Sequence, residues 1–353
     1  LAQQQAWLDA AELVDEKWGR AFEQADAVRA GFSRLLDDND GYITLAPNTH
    51  ELVVRFLSAL DLAKRPRLVT TDSEFHTLRR QLDRLEEAGI AVVRIPQEPI
   101  ATLAERMAAA VDDRTAAVLI SAVFFNSGRI VPHLEALPAR CRQVGTHLLV
   151  DAYHALNVAP FSVRALRLED AFVVGGGYKY CQLGEGNCFL RFPKDCALRP
   201  VITGWYSEFS ALADPKHPGL VAYGQGADRF AGATYDPTSH YRAARVFRFF
   251  KEEGLTVERL RAISQQQIKL LVDQFDQLDL DPKVISRDRT VPLAEIGGFL
   301  ALRAPNAGGL SRQLFDRGVW TDSRCEVLRF GPAPYLNDRQ LTDAIDILGG
   351  LVR

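Results

Sequence analysis

The spacing of apolar positions changes several times along the chain, and each change predicts an element. Between residues 4 and 37 they recur at helical spacing, with Trp7, Leu8, Leu13, Trp18, Phe22, Val28, Phe32 and Leu36 as candidate buried positions. The run Asp37–Tyr42, DDNDGY, predicts a turn. Short apolar runs then alternate with amphipathic ones. Strands are predicted at Tyr42–Leu45, Leu68–Thr71, Ala91–Ile95, Ala116–Phe125, His147–Asp151, Ala171–Val174 and Cys188–Phe192. Helices are predicted at Glu51–Ala63, His76–Ala88, Ile100–Val111 and Leu134–Val144. In His76–Ala88, Leu78, Leu82 and Leu85 share one face, and Gly89 ends the helix. Strands alternating with helices predict an α/β fold, a mostly parallel sheet covered on both faces. Sites in such sheets lie at the carboxyl ends of the strands. Thr71, Phe125, Asp151 and Gly175 occupy such ends.

After Phe192 the pattern breaks. Residues 200–240 are rich in Gly, Pro, Tyr and Trp and read as long structured loops. Helices follow at Tyr241–Gly254 and Val257–Leu278, the second read as a link between domains. A smaller α/β unit then carries strand Gly298–Leu302, helix Gly309–Arg317, strand Val327–Phe330 and helix Asp338–Leu351. The expected organisation is an amino-terminal helical segment (1–40), a large domain (41–255) and a small carboxyl-terminal domain (256–353).

Composition narrows the function. Hydrophobic residues at 47% and charged residues at 25% suit a globular chain. A net charge of −3 provides no basic footprint for nucleic acid or an anionic membrane. No apolar run approaches the roughly 20 residues of a membrane span. Cys141, Cys181, Cys188, Cys196 and Cys325 lack CxxC spacing, which suits reduced thiols and a cytoplasmic location better than disulfides or zinc. HExxH, GxSxG, GxxxxGK[ST] and GxGxxG are absent.

The chemistry concentrates in Ala171–Phe192, AFVVGGGYKYCQLGEGNCFLRF. A strand runs into Gly175, Gly176 and Gly177, then Lys179 between Tyr178 and Tyr180, and a second turn at Gly184 and Gly186. A lysine among aromatics loses hydration, which lowers an amine's pKa and favours imine formation. Taken alone, it also reads as a surface lysine after a turn. The strand before it, HLLVD, ends in Asp151, with His154 three residues on. Asp151 and Lys179 together suit pyridoxal 5'-phosphate (PLP). An anion keeps the pyridine nitrogen protonated, and the lysine carries the aldehyde. Separately, Asp151 reads as a cap and His154 as a packed core histidine.

Other candidates keep two readings each. Asn48 and Thr49 start a helix and suit an anion or a simple cap. Phe75 suits a flat cofactor ring or a hydrophobic contact. Asn126 and Ser127 suit a bond to the cofactor's phenolic oxygen or a turn. Arg329, between Leu328 and Phe330, needs an anion, either a substrate carboxylate or a structural Asp or Glu. Trp205 and Arg229 lie in the loop region. Cys181, two residues beyond Lys179, has no placed base to make it a nucleophile.

In order along the chain, Asn48-Thr49, Phe75, Asp151-x-x-His154, Tyr178-Lys179, Gly204-Trp205, Arg229-Phe230 and Arg329-Phe330-Gly331-Pro332-x-Pro334 resemble kynureninase, most specifically in DAYHALN, GGGYKY and LRFGPAPYLN. The resemblance runs from about residue 40 to the end. It implies a PLP enzyme of fold type I in the class V aminotransferase group, working as a homodimer with shared active sites. Lys179 matches the Schiff-base lysine, Asp151 the pyridinium partner and His154 its neighbour. Tyr178, Trp205, Thr49 and Asn48 match phosphate contacts, and Thr234 a phosphate contact from the second subunit. Phe75 matches the ring-stacking aromatic and Arg329 the ligand of the substrate α-carboxylate. Asn126 stands where the family has tyrosine, and the segment before the phosphate turn is shorter. The motifs therefore speak for PLP and an α-amino-acid substrate. The first expectation is hydrolytic Cβ–Cγ cleavage of kynurenine to anthranilate and alanine. The alternatives are a class V aminotransferase or C–S lyase or desulfurase, a PLP-binding regulatory protein without turnover, and a nucleotide-binding α/β domain.

Overall fold

The structure, a computed structural model, describes residues 1–353. The chain forms two compact units. The first comprises Leu1–Ala122, Val131–Leu156 and Phe161–Gly254, and the second Val123–Ile130, Asn157–Pro160 and Leu255–Arg353. The longest segment of the second unit starts at Leu255, and the first 40 residues fall within the first unit. They pack into the first unit, where Gly31 approaches Phe247 so closely that an added methyl would meet the ring at 2.3 Å.

The first unit runs α1 (Ala2–Glu12), α2 (Lys17–Leu35), β1 (Tyr42–Ala46), α3 (Thr49–Ser58), β2 (Arg67–Thr71), α4 (His76–Glu87), β3 (Ala91–Ile95), α5 (Leu103–Ala110), β4 (Thr115–Ser121), α6 (Ala136–Val144), β5 (His147–Asp151), β6 (Phe172–Gly176), β7 (Cys188–Phe192) and α7 (Thr238–Glu252). Its seven strands lie in the order β1-β7-β6-β5-β4-β2-β3. β7 is antiparallel to both neighbours, and the other pairs are parallel. Every residue of β4 is buried, as a continuous apolar run requires when both faces of a parallel sheet are covered. On one face, α3 contributes Leu52, Val53 and Phe56, and α4 contributes Leu78 and Leu82. The periodicity of Leu78 and Leu82 seen in the sequence is therefore core-facing, and Gly89 beyond the helix takes the left-handed conformation expected of it.

Two expectations fail locally. The helix predicted over 4–37 breaks at residues 13–16, where Val14 has a φ of 36°. The break turns α1 so that Ala6 faces inward against Ala21 and Tyr241, leaving Trp7 and Leu8 exposed. The strand predicted to reach Phe125 stops at Ser121. Beyond it the chain doubles back, with Gly128 N–H donating to Phe124 O and Phe124 N–H to Arg129 O, and Val123 to Ile130 joins the second unit.

The second unit contains α8 (Val257–Gln277), β8 (Leu300–Arg303), α9 (Ala307–Phe315), β9 (Asp322–Arg324), β10 (Val327–Phe330) and α10 (Asp338–Val352). Its antiparallel sheet has the order β8-β10-β9. α8 is not a free link but part of this unit's core, where Leu271 and Phe275 meet Leu302, Leu328, Ile345 and Leu348. β9 escaped prediction because its sequence, DSR, is polar, as an edge strand permits. No helix is long and apolar enough to cross a membrane.

Arg191 of β7 is 1% exposed. Its Nε donates to Asp38 Oδ2 at 2.6 Å, and one terminal nitrogen donates to the carbonyls of Leu168, Glu169 and Ala171. Burial works to raise the Asp38 pKa, but the guanidinium and the Asp40 and Gly41 N–H groups outweigh it and hold it below its ordinary 3.8. Gly41 is required here, since an added methyl would lie 2.2 Å from Arg191 Nε. Removing one partner of such a pair strands a buried charge. Arg191→Met should therefore lower unfolding free energy by about 3–5 kcal/mol, read from denaturant titration. Because the folded pKa is depressed, the pair's contribution is complete above pH 3.8 and is lost as pH falls through the still lower folded value. The wild type should lose that stability on acidification, and the variant should not.

Candidate functional site

The carboxyl ends of β5 and β6 create the site. Asp151 closes β5, and its Oδ1 accepts the Tyr153 N–H at 2.8 Å. Gly176 closes β6. None of Gly175, Gly176 and Gly177 adopts the left-handed conformation. They are glycine because side chains press on them: a methyl at Gly176 would lie 2.5 Å from Cys188 Sγ and 2.6 Å from the Tyr153 ring. The expected second turn does use left-handed glycines, Gly184 and Gly186. Between these turns Leu183 N–H donates to Gly177 O at 2.8 Å, closing the loop that carries Lys179.

Lys179 Nζ lies 2.8 Å from His154 Nε2. The ring centroids of Tyr153, Phe75 and Tyr178 lie 5.2, 5.4 and 5.4 Å from it. These rings flank the half-buried lysine at cation–π distance. Lys179 borders a cavity of about 220 Å³. Asn48, Thr49, Phe75, Asp151, His154 and Tyr178 border it too, so residues far apart in sequence meet there. Asp151 is buried, and burial above all pushes its pKa up to about 6, against the Tyr153 N–H and the Lys179 charge.

The turn at Asn48 and Thr49 has partners within the protein. Asn48 Oδ1 accepts the Glu51 N–H at 3.0 Å, so Asn48 is the cap of α3, while its Nδ2 donates to Glu51 Oε1. Thr49 N–H is directed at the Cys188 sulfur. Trp205 and Thr234 do not border the cavity. Trp205 Nε1 donates to Thr234 Oγ1 at 3.1 Å, and both residues are exposed.

Asn126 and Arg329 belong to the second unit. The Oδ1 of Asn126 is buried without a hydrogen-bond partner. Arg329 donates to Phe125 O at 2.5 Å, pairs with Asp322 and lies 5.1 Å from the Phe299 ring centroid. The structural carboxylate that the sequence reading held open is thus Asp322, opposite Arg329 in the β9–β10 register.

Sequence reasoning passed over two residues. Tyr153 lines the cavity, and its hydroxyl lies 3.8 Å from Cys188 Sγ. Glu74 is buried and bonded to Thr71 and Ser121, and its pKa is pushed up to about 7, foremost by burial. The signal available was its place beside Phe75, between a strand end and a helix.

These residues fit a PLP ring. The cavity presents a buried carboxylate that accepts one backbone N–H and so suits a protonated ring nitrogen. It also presents a primary amine ringed by aromatics, with Phe75 among them.

No family model matches the chain, and no curated protein matches its sequence. Solved structures match its fold. A C-DES variant with glycine covalently linked to the PLP cofactor matches with a TM-score of 0.82 and 16% identity, over 99% of this chain and 93% of that one. The cystine C–S lyase C-DES, in complex with its reaction product cysteine persulfide, matches with 0.80 and 16%, over 99% and 94%. The apo cysteine desulfurase from Thermococcus onnurineus matches with 0.77 and 16%, over 95% and 85%. The fold is therefore type I of the PLP-dependent enzymes.

Cys181 and Cys188 are buried, and burial pushes both thiols up to about 12. Cys141 is shifted likewise, whereas Cys325 is exposed. Thiol titration of folded protein near pH 8 should therefore find Cys325 reacting first, with Cys141, Cys181 and Cys188 reacting only on unfolding. Rapid labelling of Cys181 in folded protein would contradict this assignment.

Proposed function

We propose that the chain is a PLP-dependent enzyme acting on an α-amino acid, and that it cleaves a Cβ–S bond in the manner of a C–S lyase. The observation that supports this most is one cavity bordered by both Lys179, 2.8 Å from His154, and the buried Asp151 carboxylate. When bound, PLP supplies an electron sink for the carbanion charge left at the substrate Cα. Lys179 would carry the cofactor aldehyde and, once displaced by the substrate amine, move the proton at Cα. His154 would exchange a proton with Lys179, a reading supported by the 2.8 Å between Nε2 and Nζ. Asp151 would hold its charge against the ring nitrogen, and Phe75 would present its face to the ring. Thr49, Asn48 and Tyr178 would meet the phosphate, and Arg329 the substrate carboxylate. The exposed Trp205–Thr234 pair is proposed to act across a homodimer.

Among sulfur chemistries, two thiol states favour a lyase. With Cys181 and Cys188 buried and pushed to about 12, no ready thiolate stands beside Lys179 to take sulfur. Transfer in the manner of a desulfurase would fall to exposed Cys325. Kynurenine cleavage is the second reading, supported by the motifs DAYHALN and LRFGPAPYLN.

Purified protein given cystine should release pyruvate, ammonia and cysteine persulfide, and Cys325→Ser should retain this activity. Anthranilate and alanine from kynurenine, with no turnover of cystine, would favour the second reading. No turnover of any amino acid would leave a binding protein. Lys179→Ala should abolish borohydride-fixed attachment of PLP as well as turnover; fixation at another lysine would overturn its role. Asp151→Asn should fold and lose on the order of 10²-fold in rate, since a charge-assisted bond is removed.

Arg329→Lys should retain PLP while amino-acid binding weakens by roughly 2–4 kcal/mol, because lysine cannot reproduce a two-pronged carboxylate contact. Loss of folding instead would make the Asp322 and Phe125 contacts its whole purpose.

A further inference from the structure

Three strand ends bring two carboxyl groups together. β2 ends at Thr71, β4 at Ser121 and β5 at Asp151, and β4 lies between the other two. Glu74, three residues beyond Thr71, folds back over these ends. Its Oε1 accepts the Thr71 hydroxyl at 2.7 Å and the Ser121 N–H at 3.2 Å, and its Oε2 meets the Ser121 hydroxyl at 2.6 Å. Ser121 is the register partner of Asp151. Glu74 is 3% exposed and Asp151 is 9% exposed. Glu74 thus bonds to the register neighbour of Asp151, and the Asp151 charge, acting after burial, raises the Glu74 pKa.

The surroundings decide which member keeps the proton. Lys179, from the turn after β6, favours the anion of Asp151. Glu74 meets hydroxyls from β2 and β4 and the like charge of Asp151 from β5. Burial raises both groups, Glu74 to about 7 and Asp151 to about 6. The Ser121 hydroxyl can accept from a protonated Glu74 as readily as donate to an ionised one.

Resting on the cofactor reading above, we propose that Glu74 is a positioning residue: the Glu74–Asp151 pair keeps one proton, carried by Glu74, so that the negative charge offered to a protonated ring nitrogen sits on Asp151. Glu74 touches neither substrate nor cofactor in this role. It acts through Asp151, and its ionisation adds a second negative charge behind that residue.

The test reads the proton directly and then the cofactor. Infrared titration of the full-length, cofactor-free protein should show a buried protonated carboxyl between about pH 6 and 7. Glu74→Gln should remove that band. Asp151→Asn should lower the band's midpoint by about one pH unit, because a repelling charge is gone. Ser121→Ala should raise the midpoint, because a donor to the anion is gone. The affinity of wild-type protein for PLP should rise roughly tenfold through the same midpoint, and the Glu74→Gln profile should be flat there. A band that survives Glu74→Gln, or a midpoint unmoved in Asp151→Asn, overturns the pair. Should Glu74→Gln fail to fold, Ser121→Ala decides, and an unmoved midpoint overturns the proposal. Wild-type protein that binds no PLP would sink the cofactor reading, while the infrared titration still judges the pair.

Discussion

The site depends on a carboxyl group, Asp151, buried at a strand end where it borders the cavity. Asp151 ends the middle strand of a sheet covered on both faces, and it accepts only a backbone N–H from its own turn. A carboxylate in that position is costly unless a cation joins it. Lys179 is the cation whose charge favours its anion. Beside Asp151, Glu74 has a raised proton affinity that comes first from its own burial, with the charge of Asp151 adding to it.

Close packing makes the placement possible. β6 carries glycine at Gly176 because the Tyr153 ring and the Cys188 sulfur lie where a side chain would start. That contact holds the turn after Asp151 down on the sheet and keeps His154 beside Lys179. At the far end of β7, Arg191 ties the sheet to the turn before β1 and to the approach to β6. The strands that present the site are thus fixed at both ends, by sterics at one and by a buried ion pair at the other.

The second unit uses charge differently. Arg329 is neutralised by Asp322 across two antiparallel strands, and it also rests on an aromatic ring and a carbonyl. Its surroundings suit a guanidinium held in one orientation. Asn126 in the same unit keeps a buried acceptor unmet.

Much of this was legible in the amino-acid order. Alternating periods revealed the parallel sheet, because strand and helix faces must each be apolar toward a shared core. The order of Asn48, Phe75, Asp151, His154 and Lys179 pointed to one cofactor chemistry, because strand ends in such sheets converge. The cap at Asn48 and an acidic partner for Arg329 were alternatives the sequence held open, and the bonds to Glu51 and Asp322 are what the fold supplies. Other features had no one-dimensional trace: the polar edge strand β9, the break at residues 13–16, and Glu74, an ordinary glutamate in sequence. Burial beneath β2 and β4 and the charge of Asp151 alter its proton affinity, and only the folded chain brings those together.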